Sequence, residues 1–310
     1  MVFSVRILLN KDAEFSEIIV NCHLKIYNRK TIMIYLKLMR VKHYVKNFLV
    51  FMPLFFSKNI FHTHKFISAS LGFVCFCLVS SAVYILNDLK DIEKDRNHPK
   101  KRNRPIASGR VSRGRAIAVL SACLTAAVMI SFFFLKKISM LVLLLYFVLN
   151  VAYSFGLKNI PIIDVVILAS GFVIRVVYGG GLTNIRISGW LYLVMVSGSL
   201  FMGLGKRRNE LKHQSCTREV LKFYNESFLD KNMYVAVALV IVFYALWTME
   251  SVSPAMIWTV PFFMIILIKY SYDIEGDSDG DPIEVLLHDR FLIILTVLYA
   301  VVIFLLLYIF

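Results

Sequence analysis

Phe66–Asn87 reads FISASLGFVCFCLVSSAVYILN and runs straight into Asp88–Asp95, DLKDIEKD. An uncharged apolar run of about this length crosses roughly 30 Å of hydrocarbon as a helix. The acidic run therefore begins where that helix leaves the bilayer. Comparable apolar runs recur at Phe48–Phe56, Ala116–Leu135, Ser139–Phe155, Pro161–Leu182, Gly189–Leu204, Met233–Glu250, Pro254–Tyr272 and Phe291–Phe310. With 58% hydrophobic residues against 18% charged over 310 residues, the chain is far more apolar than a soluble domain of its length. The expectation is an all-α polytopic membrane bundle of about nine transmembrane helices. The first span is short and interrupted by Pro53. It reads as a broken or tilted helix continued from the amphipathic stretch Thr31–Lys46, whose Lys and Arg would lie at the headgroups.

The formal net charge is +15. The basic residues are spread over the connecting segments, which points to anionic lipid and phosphorylated substrates as partners and away from nucleic acid. After the second span come Lys90, Lys94, Arg96, Lys100, Lys101, Arg102, Arg104, Arg110, Arg113 and Arg115. After the sixth come Lys206, Arg207, Arg208, Lys212, Arg218 and Lys222. Four spans separate these segments, so both fall on one side, and their Lys and Arg excess predicts that side to be cytoplasmic. The protein is thus expected in the cytoplasmic membrane with its polar face toward the cytoplasm. A homo-oligomer is compatible with this pattern. Cys22, Cys75, Cys77, Cys123 and Cys216 form no paired metal-ligand or disulfide framework. Residues 1–32 lack the pattern of a signal peptide and read as an N-terminal extension, with translation expected to start at Met33. Residues 33–310 read as one transmembrane domain.

The acidic run carries the strongest chemical signal. On a helix, Asp88, Asp91 and Asp95 stand at i, i+3 and i+7, with Asn87 and Asp91 at i and i+4, so the polar set shares one face. Carboxylates so close repel one another unless a cation joins them, and hard oxygen ligands suit Mg²⁺ held together with substrate phosphates. The competing reading is a solvated loop in which the aspartates pair with nearby Lys and Arg. Next comes the basic loop His98-Pro99-Lys100-Lys101-Arg102-Asn103-Arg104-Pro105-Ile106-Ala107-Ser108-Gly109. It suits a polyanion, or alternatively serves topology alone.

A second group is Tyr153-Ser154-Phe155-Gly156-Leu157-Lys158, followed by Asp164 and, three turns further along the same helix face, Arg175. An intramembrane arginine either meets a substrate phosphate or pairs with groups of another helix. Lys42, His43, Lys46 and Asn47, and the run Gly205-Lys206-Arg207-Arg208-Asn209-Glu210-Leu211, either meet phosphate or snorkel to the interface. The acidic loop Asp273–Asp289 copies the spacing of a calcium loop, but Ser278 stands where that loop needs glycine, so the match is rejected.

Taken in order, these residues resemble the UbiA superfamily of intramembrane prenyltransferases, and within it the branch of polyprenyl-phosphate phosphoribosyltransferases. The resemblance covers roughly Met33–Phe310. It rests on Asn87-Asp88-x-x-Asp91-x-x-x-Asp95 with His98-Pro99, Arg104-Pro105-Ile106-Ala107-Ser108-Gly109, and Tyr153-Ser154-x-x-Leu157-Lys158 with Asp164 and Arg175. Gly205-Lys206-Arg207 and Gly276-x-x-x-Gly280-x-Pro282 with Asp289-Arg290 complete it. Where the family has Arg-Pro and Trp ahead of Lys-Asn, this chain has Arg40-Val41 and Tyr44.

The resemblance implies a UbiA-like catalytic domain over 33–310. It implies Mg²⁺-dependent transfer of a 5-phosphoribosyl group from phosphoribosyl diphosphate to decaprenyl or another polyprenyl phosphate, for a lipid-linked pentose donor in cell-envelope glycan assembly. It also implies Asp88, Asp91 and Asp95 as metal ligands, and these with Lys158 and Tyr153 as the catalytic set. Lys46, Asn87, Lys100, Arg104, Asp164, Arg175 and Lys206 are implied as substrate contacts. An alternative is a prenyltransferase acting on an aromatic acceptor. That class carries a second aspartate cluster, where this chain offers Lys158 and a single Asp164. A second alternative, a non-catalytic lipid-binding protein or transporter, accounts for the helices and Arg175 but not for three aspartates in register beside a basic loop.

Overall fold

The computed structural model describes residues 31–212, 218–250, 253–276 and 282–309. The extension up to residue 30, Cys22, Cys216, Ser278 and Gly280 lie outside them. Among the described residues the chain is helical with no strand. Its long helices are α1 (Thr63–Lys90), α2 (Arg113–Phe134), α3 (Lys137–Phe155), α4 (Ile163–Thr183), α5 (Gly189–Lys212), α6 (Glu226–Met249), α7 (Thr259–Glu275) and α8 (Arg290–Tyr308). Among the described residues, seven helices rather than nine are long and apolar enough to cross a membrane. α5 is not one of them, because glycines and serines dilute its apolar half and a charged tail ends it. The seven spans make this an integral membrane protein.

Burial separates the inner helices from the outer ones. In α1 and α4, 61% and 50% of the apolar window is buried, against 17% in α2 and α8. Phe132, Phe133 and Phe134 of α2 and Ile294, Val297 and Leu298 of α8 point outward. In water such faces would be costly, whereas against lipid tails they need no partner. α1 is the structural axis. At 1.5 Å per residue its 28 residues reach about 42 Å, beyond the roughly 30 Å hydrocarbon layer. Its last turn, with Asn87, Asp88 and Lys90, therefore stands at the polar end of the bundle. The ends of α3, α5 and α7 and the starts of α2, α4, α6 and α8 meet it there.

The expected first span departs from the sequence reading. The chain turns at Arg40, whose φ of 52° and ψ of 48° are left-handed, so the helix over 31–38 does not continue inward. Beyond the turn the chain forms a 3-10 helix, Val41–Phe51, then a short α-helix, Met52–Phe56, with Pro53 in its first turn. Three residues per turn superpose positions i and i+3, and the side chains sort accordingly. Asn47 and Val50 are buried and Tyr44 is half-buried, while Val45 and Phe48 on the next register face outward. On the inward register the Tyr44 hydroxyl lies 2.8 Å from Ser81 Oγ, and Asn47 Nδ2 donates to Cys77 Sγ and Ser80 Oγ of α1.

Backbone contact between this segment and α4 is close enough to require glycine. A Cβ on Gly179 would stand 1.9 Å from the Val50 carbonyl oxygen, whereas one on Gly181 would meet nothing within 4 Å. Relieving a backbone clash shifts two packed elements, at about 1–3 kcal/mol or more. Gly179→Ala is therefore expected to lower the melting temperature of the detergent-purified protein clearly. Gly181→Ala should leave it within about 0.5 kcal/mol of wild type in intrinsic-fluorescence melts.

Candidate active site

α1 ends at Lys90, and Asp91, at φ −94° and ψ 17°, joins it to the short helix Ile92–Arg96. This break divides the three aspartates. Asp88 and Asp95 stay together, buried at 3% and 4% exposure. Arg104 Nη1 lies between them, 3.0 Å from Asp88 Oδ1 and 2.7 Å from Asp95 Oδ2. Arg40 Nη2 donates to the same Asp88 oxygen at 2.5 Å, and its guanidinium lies over the Tyr84 ring. Asp91 faces elsewhere and takes Lys158 Nζ on both oxygens, at 3.0 and 2.8 Å. The expectation of one three-aspartate group is corrected to this extent. Among the described residues no three Asp, Glu, His or Cys side chains converge as a metal site.

The donor set still suits a divalent cation. Two buried carboxylates straddle a single positively charged nitrogen, and Mg²⁺ commonly takes one or two carboxylates and completes its shell with water and phosphate. Asp88 and Asp95 are the pair that would hold it, with Asp91 beside them.

The ends of α1 and α3 are tied together. Lys90 Nζ donates to the Ser154 carbonyl oxygen at 2.6 Å, and Ser154 Oγ donates to Asn87 Oδ1 at 3.3 Å. α3 stops at Gly156, where φ of 158° disfavours any side chain, and the following 3-10 turn delivers Lys158 to Asp91. Asn87, Asp91, Ser154 and Lys158 thus form one polar surface.

Tyr153, one residue before Ser154, belongs to a second, fixed cluster. Its hydroxyl accepts from Arg207 Nη2 at 3.0 Å and Arg218 Nη1 at 2.9 Å. Arg207, fully buried, also donates to Asp164 Oδ2 at 2.5 Å and Glu210 Oε2 at 2.6 Å. Tyr224 donates to Asp164 Oδ1 and accepts from the Ile162 amide, each at 2.6 Å. Burial and the Asp164 carboxylate push the Tyr224 phenol up to about 12, so it stays a donor at neutral pH. Ile162 itself holds φ 70°, a strained value for a β-branched residue. Asp164, expected at the substrate, is instead wholly buried inside this cluster.

Arg175 resolves in the same direction. Its Nε donates to Asn47 Oδ1 at 2.8 Å, Nη1 to the Gly171 carbonyl at 2.5 Å and Nη2 to Tyr146 OH at 3.2 Å, with the Phe76 ring 4.7 Å away. Of its two readings, pairing with groups of neighbouring helices is the one realised. Lys46 and Lys206 are half-buried at the polar end, while Lys100 is exposed.

Lys101, next to Lys100, faces inward between Asp95, Arg104, Arg218 and Glu210. Burial, with Arg104 and Arg218 close by, pulls its ammonium below the ordinary range. His98 Nδ1 accepts the amides of both Lys100 and Lys101 at 3.2 Å. Burial and the Lys101 charge hold that imidazole below its usual range, which favours the neutral, accepting form. Arg40, Lys101 and Tyr224 are site residues that sequence reasoning missed. For Lys101 the available signal was its place in the basic loop, while Tyr224 offered none.

Comparison with known proteins gives the family. Residues 48–295 match the model of the UbiA prenyltransferase family. The decaprenyl-phosphate phosphoribosyltransferase of Mycolicibacterium smegmatis is 34% identical over 281 residues, covering 84% of this chain and 88% of that one. The protein of the same name from Corynebacterium glutamicum is 34% identical over 279 residues, 86% and 84% of the two chains. A UbiA homologue from Archaeoglobus fulgidus, solved bound to GPP and Mg²⁺, superposes with a TM-score of 0.67 at 18% identity, over 87% of this chain and 96% of that one. The chain belongs to the UbiA prenyltransferase family.

The two clusters differ in how firmly they are held. Arg207 and Asp164 are both 0% exposed, and removing one partner of such a pair costs about 3–5 kcal/mol. Lys158 and Asp91 are 15% and 17% exposed and sit at the polar end, where a pair contributes about 1 kcal/mol or less. Arg207→Met is expected to abolish recovery of monodisperse protein in size-exclusion chromatography. Lys158→Met should elute and melt close to wild type.

Proposed function

We propose that the protein transfers the 5-phosphoribosyl group of phosphoribosyl diphosphate to the phosphate of decaprenyl phosphate or a related polyprenyl phosphate. A phosphate oxygen of the lipid forms a bond to the anomeric carbon as the bond from that carbon to the diphosphate breaks, and pyrophosphate leaves. The observation that carries this reading is the sequence likeness to the mycolicibacterial protein of that name, over 84% of this chain. The pairing of Lys158 with Asp91 supports it, because that pairing puts the two regions of the resemblance on one surface.

The residues that would hold magnesium are Asp88 and Asp95, with Asp91 adjoining. When bound there, the ion neutralises charge that builds on the departing diphosphate. The chain's own groups supply the rest. Arg40, Arg104, Lys101 and Lys158 present cations where donor phosphates would sit. Tyr153 is positioned by Arg207 and Arg218 at the rim of the same surface. The acceptor phosphate is dianionic or nearly so at neutral pH, since the second pKa of a phosphate monoester is about 6, so its attack needs no strong general base. Positioning and electrostatic stabilisation then carry most of the rate.

The loops at this end are rich in Lys and Arg, which supports placing the site at the cytoplasmic face of the cytoplasmic membrane. There a water-soluble donor and a lipid acceptor with its headgroup at the interface can both reach it. The corresponding role is supply of a lipid-linked pentose for cell-envelope glycans.

The test uses detergent-purified protein with Mg²⁺, radiolabelled phosphoribosyl diphosphate and decaprenyl phosphate, and counts label entering the organic phase. Transfer is expected in wild type, lost on chelation, and reduced at least about 100-fold in Asp91→Asn with an unchanged melting temperature. Label moving instead from a prenyl diphosphate to an aromatic acceptor would overturn the assignment.

A further inference from the structure

The three aspartates of the Asp88–Asp95 run are each held by a cation from another part of the chain. Arg40 comes from the turn before the 3-10 helix, Arg104 from the basic loop and Lys158 from the turn after α3. With Lys101 beside Asp95 and Arg104 as a further cation, the three aspartates are already matched in charge before any metal arrives. Asp88 and Asp95 are buried almost completely and cannot keep their charge without a cation beside them. The basic tips are less confined, at 19% exposure for Arg40, 25% for Arg104 and 15% for Lys158. Each of these partly exposed cations can leave its carboxylate provided that another cation arrives in its place. The carboxylates are thus fixed, and the cations that cover them are exchangeable.

We infer that Arg40 and Arg104 are exchange residues: they occupy the carboxylates until a divalent cation takes their place, and then turn to the diphosphate of the donor. The inference rests on the proposed function and deepens it. Its physical basis is charge balance. A divalent cation placed on the aspartates with Arg40, Arg104 and Lys158 still present leaves the surface with an excess of positive charge, which a polyanion removes. The metal alone therefore binds weakly, against two guanidinium competitors, and the metal with its diphosphate binds tightly. Donor and metal enter as one unit, and a surface open to cytosolic cations does not fill with metal alone. Arg207 takes no part, because it and Asp164 are both fully buried.

The test compares wild type with Arg104→Gln, using Mn²⁺ as the probe. Free Mn²⁺ is counted by its electron paramagnetic resonance signal without any added anion, and the preformed Mn²⁺–pyrophosphate complex is then measured by equilibrium dialysis. Removing the competitor is expected to tighten Mn²⁺ alone by about ten-fold and to weaken the complex by about ten-fold, shifts of opposite sign. Arg40→Gln, which reaches Asp88 only, carries the same test if Arg104→Gln does not fold, with both shifts in the same directions. Two affinities that fall together, or that both stay unchanged, overturn the exchange and leave Arg104 a structural residue. If wild type takes up neither Mn²⁺ nor its pyrophosphate complex, the metal–diphosphate reading falls and the exchange with it, a failure seen before any variant is compared.

Discussion

Burying carboxylates at the end of an apolar helix is costly unless cations are delivered to them, and the polar end of this molecule is organised around that delivery. α1 is long enough to carry Asp88 out of the hydrocarbon, but the side chain is still nearly buried by the segments packed around it. Each basic partner arrives on a different segment, so the turn at Arg40, the loop containing Arg104 and the turn after Gly156 are all held to the same helix end. These pairs stand beside a buried apolar cluster in which Leu38, Ile106 and Val111 meet Ile85 and Ile92, and the two together fix the relative positions of the segments.

Beside this exchangeable group stands one that does not move. Arg207 joins α5 to Asp164 at the start of α4 and to Tyr153 at the end of α3, and Tyr224 closes the cluster from the segment before α6. Three elements are pinned by a single guanidinium with no exposed surface, and a fourth is tied to them through Asp164. Tyr153 and Ser154 are consecutive, yet the first faces the fixed cluster and the second faces Asn87 and Lys90. The end of α3 is thus the shared wall of the two groups, and its rigidity sets where Lys158 stands relative to the aspartates. A site that must exchange cations without losing its shape needs a scaffold of this kind.

Much of this was legible in the chain itself. The run Phe66–Asn87 announces a membrane helix by composition alone, whereas the single helix face expected for Asp88, Asp91 and Asp95 is broken at Asp91, and Asp88 and Asp95 meet through Arg104. The sequence pattern around Tyr44, Asn47 and Val50 did not reveal a 3-10 helix, because a few inward positions three apart fit an α-helix nearly as well. Arg40 was missed because its partner lies forty-eight positions away, and Tyr224 because it meets Asp164 across sixty. The resemblance implied Asp164 and Arg175 as substrate contacts, while the residues alone left Arg175 open between phosphate and a partner on another helix. Their partners are other groups of the bundle, which only packing could decide. Lys100 and Lys101 were distinguishable only by which of them the loop turns inward.

The most direct test of this account is a cryo-electron microscopy map of the protein in the presence of Mg²⁺ and phosphoribosyl diphosphate. The account predicts density for the diphosphate at the end of α1, a metal between Asp88 and Asp95, and the Arg104 guanidinium turned from those carboxylates onto phosphate, with the Arg207–Asp164–Tyr153 cluster unmoved. A donor bound elsewhere, with Arg104 still bridging Asp88 and Asp95, would contradict it.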